Sequence, residues 1–520
     1  MGISKLAIIT LSLVSSLTAA HSSCATDGAF PTATVAGGVV IGTTTTYPLS
    51  SAAHINKYLG IPFAQSPPVR FSPPQKPLPW NSPLNATQFK PACIQQFISD
   101  DFRAIFDDPP LPESEDCLYL NVFAPTGTAV DSGKPVMLWI HGGSLQLGSA
   151  SVPEYDGSVL AAQQDIIVVT TNYRTNVFGF PTSPQLAPEE RNLGFMDQRQ
   201  ALAWVSQNIR AFGGDPSKVT IFGESAGAYS VKQILANPPR PSQFRGAIMQ
   251  SQALGDQGDG DKSWSALADA LGCGSTTSQL ECVRSRPTDR IRFILNNQTL
   301  GFPPTVDNKT NFGSLGDGIH AHTVANVPLL IGTNADEGSI LTSVMPDSQT
   351  LLEGIFGNDT RSQALARAVY PRNATENELK SRIVTDYLYT CLTSTIASTL
   401  NSAGLKVWRY FFNASFPNNR PFSRAGAWHT SEIDLVFGTY PRDNQTTDQQ
   451  IRLSKHMQQS WADFAKDPLG GPGWARVRNG TGDLHIFEAN GASGTGSVNA
   501  ESVDGVCKVY LPVIIRKSFF

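Results

Sequence analysis

Charge is scarce in this chain. Only 16% of its 520 residues are Asp, Glu, Lys or Arg, and the formal net charge is −4. Disorder normally accompanies high charge and little apolar material, whereas 40% of this chain is hydrophobic, so a folded protein with a large buried interior is expected. There is no polybasic run to gather nucleic acid or anionic lipid, and no Cys/His spacing of the zinc-binding kind. A nucleic-acid partner and a bound metal are therefore not expected.

Long apolar runs are missing too. After residue 20 no window approaches about 18 uninterrupted apolar residues, so no membrane span is expected and the mature chain should be soluble. No internal repeat and no Pro/Gly-rich linker divides the sequence, and its one low-complexity block is the Gly/Ser stretch at 491–497. Residues 21–520 read as a single domain with large insertions.

The N-terminus holds what the rest lacks. Lys5, the apolar stretch at 6–14 and the small residues Leu17-Thr18-Ala19-Ala20 have the layout of a signal peptide over residues 1–20. The C-terminus ends Lys517-Ser518-Phe519-Phe520, with no retention tetrapeptide or lipid-anchor pattern, so export to the extracellular space is the expectation. Eight Asn-x-Ser/Thr sequons agree with export, at Asn85, Asn297, Asn308, Asn358, Asn373, Asn413, Asn444 and Asn479. Seven cysteines suit an oxidising compartment. Cys93 with Cys117, and Cys273 with Cys282, are near enough in sequence to close short loops, though spacing alone does not set connectivity. Cys24 is left over if the other six pair.

Short apolar runs alternate with helical patterns. VMLWI at 136–140 ends in His141-Gly142-Gly143, and IIVVT at 166–170 leads to Asn172-Tyr173-Arg174. Residues 193–210 have helical spacing, closed by Phe212-Gly213-Gly214-Asp215-Pro216. A strand-like run at 219–222 meets Gly223-Glu224-Ser225-Ala226-Gly227, and a helical pattern follows to Leu235. Further runs occur at 247–249, 328–331 and 407–412. Continuous apolar strands separated by helices call for a mostly parallel sheet covered on both faces, an α/β class.

The pentapeptide around Ser225 fits G-x-S-x-G. A nucleophilic serine must sit on a very sharp strand-to-helix turn, where a Cβ at either glycine would collide with neighbouring elements. His141-Gly142-Gly143-Ser144 resembles an oxyanion loop, with the amides of Gly143 and Ser144, joined by Ala226, as candidate donors. His141 itself is expected to hold the loop. In such a fold the acid and then the histidine follow the serine. Of His320, His322, His429, His456 and His485, the turn-rich surroundings of His429 make it the best base. His456 lies in an amphipathic helical run at 450–466 and His485 in a strand-like run, both suited to packing or surface roles. Either Asp336 or Glu337, after the run at 328–331, could orient the imidazole.

Together these residues resemble the type-B carboxylesterase family, which includes cholinesterases and fungal lipases, from about Tyr58 to Pro512. The landmarks are Tyr58-Leu59-Gly60-Ile61-Pro62, Glu115-Asp116-Cys117-Leu118-Tyr119-Leu120-Asn121, Asn172-Tyr173-Arg174, and Phe212-Gly213-Gly214-Asp215-Pro216. Gly223-Glu224-Ser225-Ala226-Gly227-Ala228, Asp336-Glu337-Gly338 and Trp461-x-x-Phe464-Ala465 complete the set. The resemblance implies an α/β-hydrolase fold and carboxylic ester hydrolysis without a cofactor, by a Ser225–His429–Glu337 triad with Asp336 structural. It also implies the disulfides Cys93–Cys117, Cys273–Cys282 and Cys391–Cys507. Two departures stand out. The family's usual HGGGF has Ser144 and Leu145 in place of its third glycine and its phenylalanine, which bears on substrate preference. The Cys93–Cys117 loop has no tryptophan to bind quaternary ammonium, so choline esters are poor candidates. Phe97, Ile98, Phe102, Ile105 and Phe106 in that loop could form a reduced lid or simply pack into the core. A small-molecule or lipid ester is the expected partner; oligomeric state is not legible.

Overall fold

All five residues of the run at 136–140 are 0% exposed, as a strand covered on both faces requires. The computed structural model describes residues 30–46, 54–253, 258–478, 483–488 and 494–517. The expected signal segment, Cys24 and the Asn479 sequon lie outside these.

The first strands are β1 (Thr32–Val35), β2 (Gly38–Ile41), β3 (Thr43–Thr46), β4 (His54–Pro62) and β5 (Leu84–Asn85). Next come β6 (Tyr119–Pro125), β7 (Lys134–Ile140), β8 (Ile167–Thr171), β9 (Gly214–Glu224) and β10 (Gly246–Gln250). The last are β11 (Leu329–Asn334), β12 (Val407–Asn413), β13 (Asp483–Glu488) and β14 (Thr495–Asn499). Eleven strands form one sheet in the order β14-β13-β12-β11-β10-β9-β7-β8-β6-β4-β3, while β1, β2 and β5 form a small separate one. From β8 through β7 and β9 to β13 every pairing is parallel; both edges are antiparallel. This is an α/β-hydrolase fold.

Helices Leu193–Asn208 and Ala226–Ala236 flank β9 in sequence. Additional helices enter as insertions, among them Gly260–Ala270 and Thr288–Asn297 after β10, and Ser348–Phe356, Glu376–Val384 and Cys391–Ser402 after β11. One boundary differs from expectation. The sequence places the strand-like run at 219–222, yet β9 begins at Gly214, which pairs with Lys134. Gly213, at φ +85°, closes the turn before it. The register breaks between Lys134 and Val136, and that irregularity accommodates a proline with no N–H to donate.

Three disulfides join Cys93 to Cys117, Cys273 to Cys282 and Cys391 to Cys507, the pairings the family resemblance implied. The last spans 116 residues and ties the C-terminal helix Cys507–Arg516 to the helix Cys391–Ser402. On the chain-entropy view a loop that long stabilises by roughly 4–5 kcal/mol. The seven sequon asparagines among the described residues are all exposed.

Candidate active site

The sheet delivers four loops to one edge. The parallel strands β7, β9 and β11 end at Ile140, Glu224 and Asn334, and β12 precedes the loop that carries His429.

Ser225 occupies the turn between β9 and the helix Ala226–Ala236, at φ +55° and ψ −122°. Its amide donates to the Gln250 carbonyl at 2.9 Å, which locks the strained residue to the neighbouring strand. Both flanking glycines are obligatory. A Cβ on Gly223 would meet the Ile140 carbonyl oxygen at 2.6 Å, and one on Gly227 the same oxygen at 2.1 Å.

The loop after β7 lies against this turn. A Cβ on Gly142 would come within 3.2 Å of Ser225 Cβ and 2.7 Å of Glu224 Oε2. Gly143, Ser144 and Leu145 all have positive φ, at +101°, +55° and +59°. For each non-glycine residue that conformation costs roughly 1–2 kcal/mol. Among the described residues the amides of Gly143, Ser144 and Ala226 donate to no acceptor. Successive amides turned by such a backbone create a concavity suited to an anion. His141 anchors the loop as expected: its Nδ1 donates to the Gly142 carbonyl at 2.8 Å, and its ring stacks on Tyr173 at 4.3 Å. Burial lowers the pKa of His141 to about 4.

His429 Nδ1 donates to Glu337 Oε2 at 2.6 Å, across 92 residues of sequence. Glu337 Oε1 accepts the Asn334 amide at 2.7 Å, so the carboxylate is held from two sides. A proton on Nδ1 leaves the Nε2 lone pair available, the tautomer a general base needs. Asp336 plays a different part. Its Oδ2 accepts the Ala427 amide at 2.9 Å, and its own amide donates to the Ala427 carbonyl at 3.0 Å, pinning the loop that carries His429. Of the two acids, Glu337 touches the imidazole and Asp336 does not.

Two further glutamates face His429. Glu224 Oε1 lies 3.1 Å from Nε2, but off the line of a hydrogen bond, and accepts none. Glu432 accepts Gln250 Nε2 at 3.0 Å and Asn334 Nδ2 at 2.6 Å. Burial opposes charge on His429, yet the attraction of Glu224, Glu337 and Glu432 outweighs it and raises the pKa to about 9. Burial raises the carboxyl pKa of Glu432 above its ordinary value, and the charge of neighbouring carboxylates adds to it. Among the described residues no donor reaches the Glu224 side chain, and burial pushes its carboxyl well above the usual range. A protonated Glu224 would remove one of the three pulls on the imidazole.

The structure does not join Ser225 Oγ to His429 by a hydrogen bond among the described residues. Such bonds often form only with substrate in place. Sequence reading also missed Tyr389, whose ring sits 4.9 Å from that of His429. It lies in a π-helical turn, Thr385–Thr390, and nothing in its sequence surroundings marks it. The remaining histidines stand apart from the site: His320, His322 and His456 are exposed, and His485 stacks on Trp474 at 4.0 Å. In the Cys93–Cys117 loop, Phe97 and Phe102 are buried, Ile105 and Phe106 are half-buried, and Ile98 is exposed. No metal-binding cluster of His, Cys, Asp or Glu occurs among the described residues.

Residues 29–485 match the carboxylesterase family. This chain belongs to that family. A para-nitrobenzyl esterase of Bacillus subtilis (strain 168) is 36% identical over 438 residues, covering 79% of this chain and 86% of the relative. Carboxylesterase 5A of Canis lupus familiaris is 34% identical, covering 81% and 79% respectively. Secreted lipase 5 of Gibberella zeae is 31% identical, covering 82% and 84%. This carboxylesterase-family chain is thus an enzyme of carboxylic ester hydrolysis. No helix among its described residues is long and apolar enough to cross a membrane.

Proposed function

We propose that the protein is a secreted serine esterase in which Ser225 attacks, His429 moves the proton and Glu337 orients the imidazole. The observation that carries the reading is the buried 2.6 Å contact between His429 and Glu337, with the far nitrogen of the ring 3.1 Å from Glu224, the residue before Ser225. His429 Nε2 takes the Ser225 proton as the hydroxyl attacks the ester carbonyl. The amides of Gly143, Ser144 and Ala226 receive the oxyanion. His429 then returns the proton to the departing alcohol, and water repeats the sequence on the acyl-enzyme. Besides the ester and water, each step uses only side chains and amides of this chain. The predicted signal segment, the exposed sequons and the secreted fungal relative support export. Replacing Ser225 with Ala should abolish hydrolysis of a short p-nitrophenyl ester while circular dichroism stays unchanged. Activity near the unsubstituted level would remove Ser225 from the mechanism.

A lipase acting at an interface is a second reading, favoured by the helix Asp100–Phe106 in the Cys93–Cys117 loop and by Ile98, exposed beside it. Rate measured across the emulsion threshold of a triacylglycerol separates the two. A jump at the threshold supports the lipase; a smooth saturation curve supports the esterase.

A further inference from the structure

Neighbouring residues 144 and 145 carry the same backbone strain for different returns. Leu145 buries its side chain to 1% exposure in the main hydrophobic core, and its carbonyl accepts the Asn176 amide at 2.7 Å. Those contacts offset a left-handed φ. Ser144 has neither. Its side chain is exposed and makes no hydrogen bond among the described residues, and its amide is unpaired. Glycine at 144 would adopt φ +55° without strain. Nothing in the folded structure accounts for a hydroxymethyl group at this position.

Its location does. Gly142, two residues earlier, is in near contact with Ser225 Cβ, and the amides of Gly143 and Ser144 point to no protein acceptor. A hydroxyl one carbon from Cα of Ser144 is within a few ångströms of any atom that the Ser144 amide holds. Resting on the reading of Ser225 as nucleophile, we propose that the Ser144 hydroxyl is a catalytic side-chain donor to the oxyanion, added to the three backbone amides. A serine hydroxyl brings one O–H that rotates to suit its acceptor, so it can swing onto the oxygen as negative charge develops there. Interactions stronger in the transition state than with bound substrate raise kcat and leave KM nearly untouched.

The test uses the full secreted chain and p-nitrophenyl acetate. Ser144→Ala keeps a Cβ and the left-handed strain and removes only the oxygen; kcat should fall about tenfold with KM within about twofold, a smaller effect than loss of a preorganised amide donor. Binding of a trifluoromethyl ketone, which forms a tetrahedral adduct with the nucleophile, should weaken by the same factor. Ser144→Gly should show the same loss of kcat while raising Tm, because the strain is relieved. Unchanged kcat in Ser144→Ala overturns the proposal, as does a change confined to KM. Recovery of kcat in Ser144→Gly also overturns it, since a steric wall would then be the role. Fluorophosphonate labelling of the unsubstituted protein keeps the two readings apart. Without labelling at Ser225 the nucleophile assignment fails first; with labelling and an unaffected Ser144→Ala, only the donor fails.

Discussion

Two buried histidines stand at the same sheet edge and titrate in opposite directions. His141, after β7, is fully buried with a backbone carbonyl and a tyrosine ring for company, and its pKa falls to about 4. His429, almost equally buried, faces Glu224, Glu337 and Glu432, and its pKa rises to about 9. Burial alone silences an imidazole; carboxylates restore its ability to carry a proton. The buried histidine in the loop after β7 is therefore a strut, and the one facing three glutamates is the candidate base.

The largest effect should come from the partner that makes His429 different. Glu337→Gln keeps the size of the side chain but removes the charge that orients the imidazole and stabilises its protonated form. We expect kcat to fall by on the order of 10⁴-fold, as when a triad acid becomes an amide. Stopped assays with a p-nitrophenyl ester would read this directly, and a loss under about tenfold would transfer the orienting role to another carboxylate.

The serine turn was legible because its demands fall on one pentapeptide: the Ile140 carbonyl leaves room for hydrogen alone at 223 and 227. The α/β class was legible for a similar reason, since strands covered on both faces must be apolar throughout. His429 and Glu337 were harder, being 92 residues apart; their order after the serine narrowed the field, and the family resemblance chose between Asp336 and Glu337. What sequence could not convey is the charge state of the pocket. Whether Glu224 and Glu432 ionise depends on donors from β10 and β11, Gln250 and Asn334, which reach Glu432 and not Glu224. Tyr389 depends on a local helical irregularity with no sequence signature, and β9 runs through Pro216 across a register irregularity in its pairing with β7.

Next in size is a difference in acid stability. The folded-state pKa of His141 lies below the ordinary 6.5, so between those values the unfolded chain binds the extra proton and stability falls as pH drops. From pH 6.5 to 4 this amounts to on the order of 3 kcal/mol, at about 1.4 kcal/mol per unit. His429 has the reverse sign: the stability its charge contributes is complete below 6.5 and lost as pH rises toward 9. In His141→Gln the Tm gap to the unsubstituted protein should narrow steadily from pH 6.5 to 4. A gap independent of pH would mean that His141 is charged in the folded state.

The smallest effect concerns Glu224, and it sharpens the comparison most. If the carboxyl without a donor keeps its proton, glutamine is a near-perfect replacement, equal in shape and in charge. The acid limb of the pH–rate profile, where activity is lost as His429 gains a proton, should then move by no more than about 0.3 unit in Glu224→Gln. An ionised Glu224 would instead be lifting the His429 pKa, and its removal would shift the limb downward by about a unit or more. The direction is diagnostic because Glu337 and Glu432 remain in both proteins, each held by donors that Glu224 lacks. A downward shift would mean that Glu224 sits in the pocket as an anion, with the charged imidazole as its counter-ion. His429 would then need substrate, and the water it displaces, to become a base.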